Sequence, residues 1–157
     1  MITIQRIKPA MIGMVLMAFL LVAGTHFYSS FQTYSCTGQQ KIYLSANEHI
    51  NVRIKINTQP KKVSMTVKGA YHQADGSVSK IYRQGTYQYR QFYDEVYEAK
   101  LLLTQRVFTD TSPEQMSNNI FGIQAGESRN FRMKKLRTGL LVFGTEYAWI
   151  YACRIDT

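Results

Sequence analysis

Ile50-Asn51-Val52-Arg53-Ile54-Lys55-Ile56-Asn57 alternates apolar and polar side chains along its whole length. A period of two lays the apolar residues on one face and the polar ones on the other, so this stretch predicts a β-strand with one wet face. Outward from it, Thr58-Gln59-Pro60-Lys61 is rich in turn formers, and Val63, Met65, Val67 and Tyr71 repeat the alternation in a second strand. Ala74-Asp75-Gly76-Ser77 carries the Asp-Gly pair that favours positive φ in a tight reversal, after which residues 78–92 return antiparallel. Beyond Tyr93, the side chains of Tyr97, Ala99, Leu101 and Leu103 share one face of a fourth strand or its bulged equivalent, because Leu102 breaks the pattern. A helix over residues 93–107 is the alternative that Glu95, Glu98 and Lys100 tolerate.

The strongest helix-start signal is Ser112-Pro113-Glu114-Gln115: Ser112 can cap, Pro113 suits the first helical position and Gln115 completes a capping box. A short helix to about Ile120 is expected, stopped by Gly122. Ala125-Gly126-Glu127-Ser128 reverses the chain into a basic strand over residues 129–136. Residues 140–143 and 147–153 then pair across Gly144-Thr145, with Tyr147, Trp149, Tyr151 and Cys153 on one face of the last strand. Seven or eight strands, one short helix and no βαβ rhythm predict a mostly β fold, an antiparallel lipocalin-like barrel or a sandwich.

The amino end reads differently. Pro9 to Tyr28, PAMIGMVLMAFLLVAGTHFY, carries no charged residue if His26 is neutral, and as a helix it is long enough to cross a bilayer. Arg6 and Lys8 precede it and set the topology by the positive-inside rule, with residues 1–8 cytoplasmic, 9–28 a transmembrane helix and 29–157 an exported, periplasmic β domain. A cleaved signal peptide ending near Val22-Ala23-Gly24 is the rival reading, and it exports the same domain. Cys36 and Cys153 both lie in the exported part, where a pair is most simply a disulfide; two buried free thiols are the alternative. Such a bond requires the first and last strands to be close in space, which a closed sheet supplies.

Composition narrows the function. Of 157 residues 45% are hydrophobic and 18% charged, too apolar for a disordered chain, and two cysteines cannot fill a cysteine-only zinc site. The sequence holds no G-x-S-x-G, H-E-x-x-H, P-loop or G-x-G-x-x-G motif. His26, His49 and His72 are scattered, and Asp94, Glu95 and Glu98 read as solvated surface, so neither an enzyme, a metal site nor a cofactor is expected. Tyrosines and phenylalanines crowd residues 71–97. Tyr87, Tyr89, Phe92, Tyr97 and Trp149 are candidate residues for an amphipathic ligand such as a sterol-like or lipid-like molecule, with an ordinary aromatic core as the alternative. The exported part carries 17 Lys and Arg against 10 Asp and Glu, with a dense run at Arg129, Arg132, Lys134, Lys135 and Arg137. Outside the cytoplasm such charge points to anionic head groups, an acidic partner or a solvated face, and direct nucleic-acid binding is not expected.

The short basic start, the single span, Tyr34-Ser35-Cys36, Asp110-Thr111-Ser112-Pro113-Glu114-Gln115 and Ala148-Trp149-Ile150-Tyr151-Ala152-Cys153 together resemble the FidL-like membrane proteins of enteric bacteria. The plan is also similar to ToxS, VtrC and PsaF, small partners encoded beside ToxR-like regulators. The resemblance implies a single-pass inner-membrane accessory protein of virulence regulation. Its periplasmic lipocalin-like barrel would pair with and stabilise a ToxR-like transmembrane transcriptional regulator as a heterodimer. A small amphipathic ligand such as a bile salt would be a further partner, and Cys36 and Cys153 would form a structural bridge. Tyr34-x-Cys36 at the head of a disulfide-closed barrel is also similar to membrane-bound lysozyme inhibitors, which makes a periplasmic inhibitor or a stand-alone lipid-binding barrel the alternative.

Overall fold

The computed structural model of the chain describes residues 33–156, together with Met14 and residues 17–19. The alternation at Ile50–Ile56 becomes the core-facing stripe of β2 (Glu48–Gln59): Ile50, Val52, Ile54 and Ile56 are buried while Asn51, Arg53 and Lys55 face water. β2 pairs antiparallel with β1 (Tyr34–Ser45) and with β3 (Lys62–His72), reversing at Pro60-Lys61 with Thr58 and Gln59 still in the strand. Thr58 is buried, and its hydroxyl bonds the backbone of Tyr34 across the β1 pairing. The Asp-Gly reversal forms as expected, with Gly76 at φ 84° and the Asp75 carboxylate accepting from the Ser77 amide and hydroxyl. β4 (Val78–Tyr93) follows, then β5 (Val96–Arg106), α1 (Met116–Phe121), β6 (Ser128–Lys135), β7 (Leu140–Gly144) and β8 (Trp149–Ile155).

Among the described residues these eight strands close into one antiparallel barrel in chain order, which selects the barrel over the sandwich. The closing seam is short. β1 meets β8 only through Cys36 opposite Ile155 and Thr37 opposite Arg154, and the Cys36–Cys153 disulfide crosses beside them, joining strands 117 residues apart in sequence. Gly38 marks where the seam ends: a β-carbon there would lie 2.6 Å from the Ala152 carbonyl oxygen, so only glycine permits this approach. From Gln39 to Ser45, β1 pairs with β2 on one side and has no strand on the other among the described residues.

Two expectations are corrected by bulges. Within residues 93–107 the chain forms the expected strand, β5 from Val96 to Arg106, and not the alternative helix, but Thr86 pairs with Leu103 and Tyr87 with Leu101, leaving Leu102 as an extra residue. The slip turns Leu103 outward, half exposed, and sets Thr104 inside in its place. Likewise Phe143 pairs with Tyr151 and Gly144 with Trp149, so Ile150 is extra and Trp149 faces out, away from Tyr151. Tyr147 lies before β8 and is 90% exposed.

The helix is also shorter at its start than the sequence predicts. α1 begins at Met116 with no side-chain cap at Gln115, because Ser112 is engaged elsewhere: its hydroxyl donates to Asp110 at 2.6 Å and accepts from Arg83 at 3.0 Å. Gly122 ends the helix as expected, in the left-handed region at φ 75°. Among the described residues no helix is long and apolar enough to cross a membrane; the expected segments 1–8 and 9–28 lie outside them, apart from Met14 and residues 17–19.

Candidate functional site: an aromatic-lined cavity in the barrel

The lumen is filled unevenly. Ile50, Val52, Val67, Ile81 and Leu101 pack one continuous core, and α1 is set against the inner face of β4. What holds the helix there is a buried ion pair. Arg83 points inward from β4, 1% exposed, with its Nε donating to Asp110 Oδ2 at 3.1 Å. Its remaining donors reach the carbonyls of Pro113 (2.6 Å) and Glu114 (3.0 Å) and the hydroxyls of Ser112 and Ser117. Asp110 also accepts from the Tyr82 amide, the Ser112 amide and Arg106. Burial works to raise the Asp110 pKa, but these hydrogen bonds outweigh it and hold the carboxyl below its ordinary value. Every guanidinium nitrogen is engaged, so the charge is tolerated inside the barrel and the segment from Asp110 to Ser117 is fixed to β4. Gly85 leaves room for the helix end: a β-carbon there would sit 2.7 Å from the Phe121 ring.

Beside this plug lies a cavity of about 310 Å³ to which all eight strands and the end of α1 contribute. Its walls are Ile54, Ile56, Val63 and Met65 on one side and aromatic rings on the other. The rings form an arc across consecutive strands. Tyr89 of β4 meets Tyr97 of β5 at 5.9 Å, Tyr97 meets Phe131 of β6 at 5.5 Å, Phe131 meets Phe143 of β7 at 6.5 Å, and Phe143 meets Tyr151 of β8 at 6.0 Å. Gln40 and Ile42 of β1 and Ile150 of β8 line it too, so it reaches the two strands that part after Gly38.

The tyrosine hydroxyls are not offered to a ligand. Tyr87 donates to the Phe121 carbonyl (3.1 Å), Tyr89 to Gln59 (3.2 Å) and Tyr151 to Ile54 (3.1 Å), each a backbone oxygen. Burial pushes the Tyr151 phenol up to about 12 and raises Tyr87, Tyr89 and Tyr97 as well, so all four stay neutral at physiological pH. The cavity therefore presents ring faces and aliphatic walls, with the amides of Gln40 and Asn119 as its side-chain polar groups free of a tyrosine's constraint. This arrangement can enclose a small apolar or amphipathic molecule, and among the described residues no charged side chain lines it.

Of the residues singled out from sequence, Tyr87 and Tyr89 line the cavity and Tyr97 stands in the arc behind them. Phe92 does not: it is 62% exposed, beside a separate surface depression of about 470 Å³ with Tyr93, Glu95, Arg132 and Glu146. Trp149 does not either, because the Ile150 bulge puts its ring on the outside under the Arg132 guanidinium, 4.6 Å away. Phe131, Phe143 and Ile150 were not singled out by the sequence. Period-two counting from Cys153 would have reached Phe143 through its partner Tyr151, but nothing in the sequence marks Ile150 as a bulge. Met133 and Phe143 extend the inner face of β6 and β7 as the basic strand pairs.

The basic run is less free than it reads. Lys134 and Arg132 both meet Glu95, at 2.6 and 3.5 Å, Arg129 donates to the Gly122 carbonyl, and Lys135 lies over the Tyr34 ring. Among the described residues no group of three or more His, Cys, Asp or Glu could hold a metal ion. No family model matches the chain, and no curated protein matches it significantly.

Proposed function

We propose that the chain is a single-pass inner-membrane accessory protein whose exported, lipocalin-like barrel binds and stabilises a ToxR-like transmembrane regulator, and that the barrel cavity admits a small amphipathic ligand. The observation that carries this reading is the half-open seam, where β1 loses its β8 partner after Gly38 at the level where Gln40, Ile42 and Ile150 line the apolar cavity. An unpaired strand edge is a template for a partner's strand, and main-chain pairing needs no signature residues. A partner strand laid along Gln39–Ser45 would also cover the cavity, so partner and ligand would each favour the other by linkage. The barrel is read as a binding module and not an enzyme, without a cofactor and without direct contact to nucleic acid.

The test is co-purification of the full chain, in detergent, with the periplasmic domain of a ToxR-like single-span regulator from the same organism. Co-elution as a heterodimer is expected, together with a rise in melting temperature on adding taurodeoxycholate that is larger for the complex than for the chain alone. Clean separation of the two proteins rejects the partner. A melting temperature raised equally with and without the regulator favours the second reading, a stand-alone lipid-binding barrel, which the cavity alone would support.

A further inference from the structure

The cations that sequence reading passed over are the ones the fold gathers. Register places Lys41 and Lys80 on one outward row, with Asn51 and Ala70 between them, and Arg53 directly opposite Lys68 on the next, with Lys55 one row further. All five are exposed, and none belongs to an ion pair among the described residues. Lys68 lies over the Tyr82 ring at 4.1 Å and Lys41 over Tyr43 at 4.9 Å. β1 to β4 contain a single carboxylate, Glu48, and it is bonded to the Tyr71 hydroxyl. Two like charges directly opposite on a sheet destabilise it, and no acidic side chain on these four strands offsets Arg53 and Lys68.

We infer that this outer face of β1–β4 rests on an anionic phospholipid surface. The charges form a two-dimensional array, about 15 Å across four strands and about 13 Å along them, at spacings of about 5 Å and 7 Å. The face is the outside of a closed barrel and therefore convex. A spread array on a convex face offers no groove for a single polymer strand, whereas long lysine side chains can reach from it to the laterally mobile head groups of a lipid surface. The inference rests on the membrane-anchor reading for proximity: five residues lie between Tyr28 and Tyr34, at most about 22 Å of extended chain.

Lysine labelling of the full chain tests it. The chain is placed in nanodiscs of phosphatidylcholine alone, or of phosphatidylcholine with phosphatidylglycerol, and treated with an amine-reactive reagent. Lys41, Lys55, Lys68 and Lys80 should be labelled several-fold less in the anionic discs, with Lys134 unchanged, and high salt should abolish the difference. In vesicle binding, each of Lys55→Gln and Lys68→Gln should weaken affinity for the anionic surface about five-fold, with melting temperature unchanged. Equal labelling of the four lysines in both discs overturns the inference. Protection by a single-stranded oligonucleotide or an acidic peptide in phosphatidylcholine discs, without protection by phosphatidylglycerol, overturns it in favour of a polymer. A chain that fails to enter discs rejects the anchor, not the face, and is then added to phosphatidylglycerol vesicles, where the same four lysines must be protected.

Discussion

Arg83 shows how one residue decides a local structure that its neighbours in sequence do not announce. It sits in a strand where the alternation Ile81, Arg83, Gly85, Tyr87 demands an inward side chain, and the cost of a buried cation is met by Asp110 and the turn that follows. Replacing Asp110 by Asn should destabilise the barrel by about 3 to 5 kcal/mol, because Arg83 is then left buried without a counter-charge. Arg83→Met with Asp110→Asn should cost less than the single change, and a urea titration of both proteins checks the order. The pH dependence has a definite sign. The Asp110 pKa is lowered on folding, so its contribution is present above the ordinary carboxylate range and is lost as pH falls below about 4. The urea midpoint of the wild-type chain should fall in that window more steeply than that of Asp110→Asn. Ser112 was misread as a cap for the same reason: the pair Ser112 and Gln115 fits a capping box, and only the buried Arg83, a strand away, takes the hydroxyl. At the cavity, Phe143→Ala should weaken binding of an amphipathic probe about ten-fold or more, while Trp149→Phe should leave it unchanged, as fluorescence or calorimetric titration would show.

At the level of elements, what was legible is what repeats. β2 and β3 follow from strict alternation, and the Asp-Gly reversal from its backbone preference. β1 was not legible, because its inward residues are Cys36, Gly38, Gln40 and Ile42, a set with no hydrophobic periodicity. The break at Leu102 showed in the pattern, but its effect on Leu103 did not, and the bulge at Ile150 was hidden altogether, since the register around an extra residue is fixed by the partner strand. The same weakness at β1 makes the disulfide consequential. Two ladder pairs and the hydrogen bonds between Ser35 and Asp156 hold the seam, and the Cys36–Cys153 bond closes a loop across the whole barrel. Reduction, or Cys36→Ala with Cys153→Ala, should lower stability by about 4 to 5 kcal/mol in the chain-entropy account. The seam should open first: the amides of Thr37 and of Asp156, which donates to the Ser35 carbonyl across it, should lose hydrogen-exchange protection before those of β2 and β3. Gly122→Ala, which puts a β-carbon at φ 75°, should cost about 1 kcal/mol by thermal unfolding, a local loss at the end of α1.

For the whole molecule, the division of labour is between a tightly filled half of the lumen and an aromatic half left partly empty, and the tyrosines tie the two together. Tyr87 and Tyr151 each anchor a ring at the cavity wall by donating to a backbone carbonyl of a different element, α1 in one case and β2 in the other. Such bonds require the neutral phenol, since a phenolate has no proton to give and would face the Phe121 or Ile54 oxygen unassisted. The folded pKa values are raised by burial, Tyr151 to about 12 and Tyr87, Tyr89 and Tyr97 in the same direction. A raised folded pKa means that the unfolded chain releases protons first as pH rises through about 10, the ordinary tyrosine value. Stability from these groups is therefore fully present below about pH 10 and lost as pH rises toward about 12. The urea midpoint should be flat between neutral pH and about 9 and should fall steeply above 10. Tyr87→Phe should cost about 1 kcal/mol at neutral pH, through the lost hydrogen bond to Phe121, and should also flatten the alkaline slope. A midpoint that falls equally in the Tyr87→Phe and Tyr151→Phe proteins would show that the alkaline loss arises elsewhere, from repulsion among surface charges. Because the same rings line the cavity, an amphipathic probe bound there should protect the wild-type chain in this range, raising the midpoint at pH 10 by at least as much as at pH 7.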